Sequence, residues 1–125
     1  MTLLAPVSWG ELIDKITILE IKAARIADAA KLANVRRELQ ALTAVRDAQG
    51  MAPAALVAEL RQVNEQLWDI EDRIRECEQR GDFGATFVDL ARSVYKTNDR
   101  RAALKKAINE QMGSDLVEEK SYRGS

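Results

Sequence analysis

Between Pro53 and Arg80 the apolar residues fall at Leu56, Leu60, Val63, Leu67, Ile70, Ile74 and Cys77, an unbroken alternation of fours and threes. Only a helix collects such positions on one side; a strand would scatter them over both faces. A stripe of this length needs a partner of similar length, as the seam of a coiled coil does. The chain supplies one between Ala85 and Met112, where Phe87, Leu90, Ala91, Val94, Ile108 and Met112 share a face. Gly81-Asp82-Phe83-Gly84 reads as the turn joining the two, and Gly113 as the end of the second. Each helix is about 42 Å long at 1.5 Å per residue. So short a turn makes them antiparallel neighbours.

The N-terminal half is helical too. Pro6 keeps the first residues extended. Ser8, with Glu11 three residues later, forms a capping box, and Val7 and Leu12 are spaced for a hydrophobic staple. The helix that follows carries Trp9, Leu12, Ile16, Leu19, Ala23 and Ile26 on one face, with Ile18 and Ile21 opposite. A helix apolar all round is either central in a bundle or covered by a second chain. Ile18 and Ile21 point to the second case, a homo-oligomer formed through this helix. The next stripe, Leu32, Val35, Leu39 and Leu42, lies about 150° around from the first if one straight helix continues. A break near Asp28 is therefore expected, with one continuous helix as the alternative. Gly50 is placed for a left-handed cap, and Pro53 for the first turn of the next helix.

These patterns predict an all-α, antiparallel four-helix bundle in one domain over residues 1–125. Its helices cover about 9–27, 29–48, 53–80 and 85–112, with the third and fourth long and a polar, extended C-terminal tail. A chain of 125 residues, 46% hydrophobic and 31% charged, has enough apolar material for one core. The N-terminus lacks a basic leader and no apolar run suffices to cross a bilayer, so a cytoplasmic protein without membrane insertion is expected.

Charge is balanced overall, 19 basic against 20 acidic residues, but not locally. Arg92 to Lys106 holds six cations against Asp99, and Glu59 to Arg80 holds seven acids against four arginines. Complementary pairing between the two long helices is the plain explanation. With one cysteine and no histidine, an intrachain disulfide, the usual zinc sites and histidine-based catalysis are excluded. Cys77 lies on the apolar stripe, as a small core residue would. No phosphate-binding glycine loop, dinucleotide pattern or metal motif occurs, so neither metal nor cofactor is expected. The cations Arg36, Arg37, Arg92, Lys96, Arg100 and Lys106 belong to no recognisable nucleic-acid module.

One local feature breaks the helical pattern. Asn98, Arg101 and Lys105 sit on the otherwise apolar stripe of the last helix. Burying a charge without a partner costs several kcal/mol, so these residues must meet compensating groups. Beside the stripe of the third helix lies a polar row: Asn64, Trp68, Glu71 and Arg75, with Asp72 at its edge. With the turn near residue 82, positions in the two helices are level when their numbers sum to about 165. That sets Arg101 level with Asn64 and within a turn of Trp68 and Glu71, and Asn98 within reach of Glu71. Asn64, Trp68, Glu71, Asn98, Arg101 and Lys105 are thus the candidate polar cluster. Either it is a satisfied network that fixes helix register, or it lines a cleft for an anionic small molecule. Asp14, Lys15, Glu20 and Lys22 of the first helix are eligible for either arrangement, their orientation left open.

The blocks Val7–Lys22, Lys31–Leu39, Leu67–Arg75, Ala91–Lys105 and Leu116–Tyr122 resemble a family of small helical bacterial proteins known only as a domain of unknown function. The Asn64–Arg75 block and the later Asn98-Asp99-Arg100 also resemble, more weakly, a second uncharacterised helical family. The first resemblance covers nearly the whole chain. It implies a genomic setting near sugar-transferase and lipopolysaccharide genes, and that the tail through Tyr122 belongs to the fold. It carries no catalytic residue. The expected function is a non-enzymatic interaction or accessory protein linked to cell-envelope polysaccharide assembly. The alternative is a small enzyme or binding protein for an anion in the cleft around Arg101.

Overall fold

A computed structural model describes residues 1–123 of the chain. Its helices are α1 (Trp9–Arg25), α2 (Ala29–Gln49), α3 (Ala54–Arg80) and α4 (Ala85–Met112). The sequence pattern places each end within two residues.

α1 is the centre of the bundle. It packs on α2, α3 and α4, while α3 packs on α4 and α2 on α1 alone. The core joins Leu12, Ile13 and Ile16 of α1 to Leu60 of α3 and Ile108 of α4, with Leu39 and Leu42 of α2 against it. Each such side chain contributes about 1.5–3 kcal/mol through loss of apolar surface to water. Centrality within one chain explains why α1 is apolar all round. Ile21 is buried inside the chain, not offered to a second copy as its position suggested, and Ile18 is half-buried. No helix is long and apolar enough to cross a membrane among the described residues.

The change of stripe between α1 and α2 becomes a corner. Ile26 leaves helical geometry (φ −79°, ψ 128°), and the Asp28 carboxylate accepts a hydrogen bond from the Lys31 N–H at 2.9 Å to start α2. The two helices are separate because a straight one would turn Leu39 and Leu42 away from the core. Gly50, expected in the left-handed region, instead has φ 139° and ψ −152°, extended backbone that only glycine tolerates.

The start of α1 and the end of α4 are built to meet. Ser8 Oγ accepts from the Glu11 N–H at 3.1 Å, as a capping residue does. The reciprocal half of the box does not form, because the Glu11 carboxylate goes to Lys105. Val7 stays about half exposed, a poor staple. At the other end Gly113 takes φ 65°, and the Ser114 N–H returns to the Asn109 carbonyl at 2.9 Å. This left-handed closure turns the chain sharply and brings Ser114 back over the start of α1.

The opposite charges of α3 and α4 do not pair with each other. Among the described residues α3 forms its ion pairs with α1 (Arg61–Glu20 and Asp69–Arg25) and within itself. Arg101 and Lys105 of α4 turn to α1 and the tail instead. The reason is the long apolar seam between α3 and α4, which keeps charged positions off their shared face. Cys77 is buried in that seam.

Candidate functional site

The site is built on a very close helix crossing. A Cβ added to Gly10 would collide with the Lys105 carbonyl oxygen and lie 2.9 Å from Asn109 Oδ1. Only glycine lets α1 approach α4 so nearly. The Gly10 N–H donates to Asn109 Oδ1 at 2.6 Å, and the Trp9 N–H donates to Ser114 Oγ at 3.0 Å. With Ser8 holding the Glu11 N–H, the first three amides of α1 are all taken by side chains. This helix start is closed to an external anion.

One turn further, Asp14 faces α4 with 1% of its surface exposed. Arg101 grips it with both arms: Nε donates to Oδ1 at 2.9 Å, and Nη2 closes on Oδ2. Asn64 of α3 donates to the same Oδ1 at 3.0 Å and to Thr17 Oγ1 at 2.9 Å, while Thr17 donates back to the Asp14 carbonyl. Lys105 Nζ stands 2.8 Å from both Glu11 and Glu118 and 3.8 Å from Asp14 Oδ2. Three helices and the tail therefore converge on one connected polar cluster. Among the described residues no buried side-chain polar atom is left without a partner.

Electrostatics follow from this geometry. The hydrogen bond to Asp14 raises the Arg101 guanidinium above its ordinary range, outweighing burial. Burial pulls the Lys105 ammonium down, but Glu11 and Glu118 outweigh it and hold it above the usual lysine range. The Lys105 ammonium in turn holds the Glu118 carboxyl below the usual carboxylate range. Arg101, Lys105 and Glu118 are each shifted toward the charged form.

The six residues singled out by the sequence are divided by the fold. Asn64 and Arg101 are level, as the register requires, and meet on one carboxylate oxygen. That carboxylate belongs to Asp14, not Glu71. Glu71 is exposed and lies 3.8 Å from Arg75, its neighbour one turn along. Trp68 takes Arg25 over its ring at 5.8 Å, not Arg101. Even so, Asn64, Trp68, Glu71 and Arg101 share the lining of an open cleft of about 450 Å³, with Ile18 and Lys22 of α1 across from them. Asn98 and Lys105 lie on the other side of Arg101, where Glu118 and Lys120 of the tail close a small space of about 40 Å³.

Asp14 is one of four residues of the first helix that the sequence leaves eligible with no orientation, whereas Thr17, Glu11, Asn109 and Glu118 are not singled out by it. A signal for three of them was present: Glu11, Asp14 and Thr17 recur every three residues and form a polar notch in an otherwise apolar helix.

The chemistry of the cluster is that of a charge-assisted clamp. A bidentate Arg–carboxylate pair adds geometric specificity to its energy. Arg101 keeps 29% of its side chain exposed where it borders the open cleft. No curated protein and no solved structure matches the chain. A family model does match it, over residues 3–125, and the chain belongs to the family of unknown function DUF6165.

Proposed function

We propose that this is a non-enzymatic interaction or accessory protein in which the Asp14–Arg101–Lys105 cluster holds three helices and the tail in register. The supporting observation is complete satisfaction: every buried polar side-chain atom described has a partner within the chain. A site awaiting a ligand ordinarily keeps donors aimed at empty space. A cytoplasmic setting tied to cell-envelope polysaccharide assembly is part of this proposal, its second half resting on the genomic setting that the resemblance implies. Self-association belongs to the same proposal, with its surface moved from Ile21 to α2. That helix packs on α1 alone, buries no residue, and leaves Leu32 and Val35 half-covered.

A second function is supported by the open cleft. It gathers Arg101, Asn64 and Trp68 at the volume of a small-molecule site. There Arg101, already braced by Asp14, would meet an anionic small molecule with Trp68 as a wall. Melting of wild type and Arg101→Ala, with and without phosphates, carboxylates and nucleotide sugars, separates the two. A large loss of stability and no shift with any anion is the outcome expected of a structural clamp. Near-normal stability of the variant with loss of an anion-induced shift would overturn it in favour of the cleft.

A further inference from the structure

The tail does more than clasp Lys105. From Ser114 to Tyr122 it runs without helix and is fixed twice near its root, at Ser114 to the Trp9 N–H and at Glu118 to Lys105. Beyond that clasp it stands off α4 and leaves a cleft of about 570 Å³. Alternate residues Glu118, Lys120 and Tyr122, with Arg123, form one wall. Val94, Tyr95, Asn98 and Asp99, which recur on one face of α4, form the other. The volume is that of a small-molecule site, and it is separate from the Arg101 cleft between α1 and α3.

The lining has a definite chemistry. Tyr95 and Tyr122 place an aromatic ring on each wall. Lys120 Nζ lies 5.8 Å from the Tyr122 ring centre, so a cation and a stacking surface occur together. Arg123 adds a second cation, and Asn98 an amide that both donates and accepts. Of the acids, Glu118 is held at 2.8 Å by the Lys105 ammonium, which it shares with Glu11. Asp99 stands on the α4 wall, so the two cations of the cleft face two acids, one of them partly paired elsewhere. Two rings, two cations and one amide suit a planar ring that carries an anionic group.

We propose that the cleft between α4 and the C-terminal tail binds a nucleoside monophosphate or a closely similar ring phosphate. The base stacks on Tyr95 and Tyr122, Lys120 and Arg123 take the phosphate, and Asn98 reads the ring edge. The tail is one wall, and the Lys105–Glu118 bond fixes its root. This proposal goes beyond the accessory role, since neither Tyr95 nor Lys120 holds a bond within the Asp14–Arg101 cluster.

The test is calorimetric titration of the full chain with AMP and UMP, beside adenosine, ribose 5-phosphate and inorganic phosphate. Expected is saturable binding of a monophosphate, with the nucleoside and the two simpler phosphates each much weaker. Tyr95→Ala should weaken it at least tenfold, within the range of roughly five- to a hundredfold typical of losing one stacking partner. Lys120→Ala should weaken the monophosphate more than the nucleoside, because it removes a cation from the phosphate. Trp68→Ala should bind as wild type does. Amide chemical shifts of the unmodified protein provide a readout independent of any variant, and changes should centre on Tyr95, Asn98 and Lys120. No binding at millimolar monophosphate would overturn the proposal. So would shifts centred on Asn64, Trp68 and Arg101, an outcome that favours the Arg101 cleft.

Discussion

Asn64 and Arg101, on different helices, donate to the same oxygen of Asp14, at 3.0 and 2.9 Å. A single buried carboxylate on α1 thus sets the heights of α3 and α4 at once. The energetics of this arrangement are asymmetric. Forming a buried ion pair gains little over apolar packing, whereas removing one member strands the other.

Arg101→Ala should therefore lower stability by about 3–5 kcal/mol, and Asp14→Ala by a similar amount. The double variant should lose less than the sum, the mark of a direct coupling in a double-mutant cycle. Arg101→Lys should rescue little, because an ammonium cannot reproduce the two-armed grip. Glu71→Ala, at an exposed position, should stay within about 0.5 kcal/mol of wild type. Urea denaturation of wild type and the five variants checks the set.

Gly10→Ala pits two effects against each other. Alanine is favoured over glycine inside a helix by about 1 kcal/mol. Against that, the new Cβ meets the Lys105 carbonyl, a backbone atom with no rotamer to escape through. Overpacking of this kind costs about 1–3 kcal/mol, and moving the helices apart also stretches the Gly10–Asn109 bond. The net result expected is destabilisation, read as a lower Tm.

Asn109→Ala keeps the crossing open but removes the acceptor for the Gly10 N–H. The amide is left buried against α4, at a cost of about 1–3 kcal/mol. Ser114→Ala should cost less, since its bond to Trp9 is only partly buried. Comparing the two melting curves, with Ser8→Ala as a third, ranks the caps of α1.

Tail docking should depend on pH at both extremes. The folded Glu118 carboxyl lies below its unfolded value, so its contribution is present above the ordinary carboxylate range and lost as pH falls through the lowered value. Folded Lys105 lies above its unfolded value, so its contribution is present below the ordinary lysine range and lost as pH rises through the raised one. Proteolysis of the tail, followed against pH, should show a protected plateau with an acidic and an alkaline limb. Glu118→Gln should lower the plateau and remove its share of the acidic limb.

Much of this architecture was legible from residue order, for identifiable reasons. The seam from Leu56 to Cys77, the cap at Ser8 and the glycines at 81 and 113 are local signals, and local signals fix where helices start and stop. The turn length fixed the relative height of α3 and α4, which is why Asn64 and Arg101 meet as expected. The partner acid was harder. The notch of Glu11, Asp14 and Thr17 in α1 says which polar residues share a face, but with apolar residues on every other side no stripe says which helix that face meets. Contact with α4 decides it, through the close approach at Gly10. Glu71 was favoured because it lay on the adjacent helix, but the apolar seam between α3 and α4 holds it at the rim.

The bond from Ser114 to the Trp9 amide links positions 105 apart in the chain. Most helical proteins assemble from contacts between near neighbours in sequence and fold quickly for that reason. Here the opening amide of the central helix finds its acceptor only after the whole helical region has been synthesised. On the ribosome the Trp9 amide of the central helix therefore stays open until the residues after α4 emerge and fold back across it.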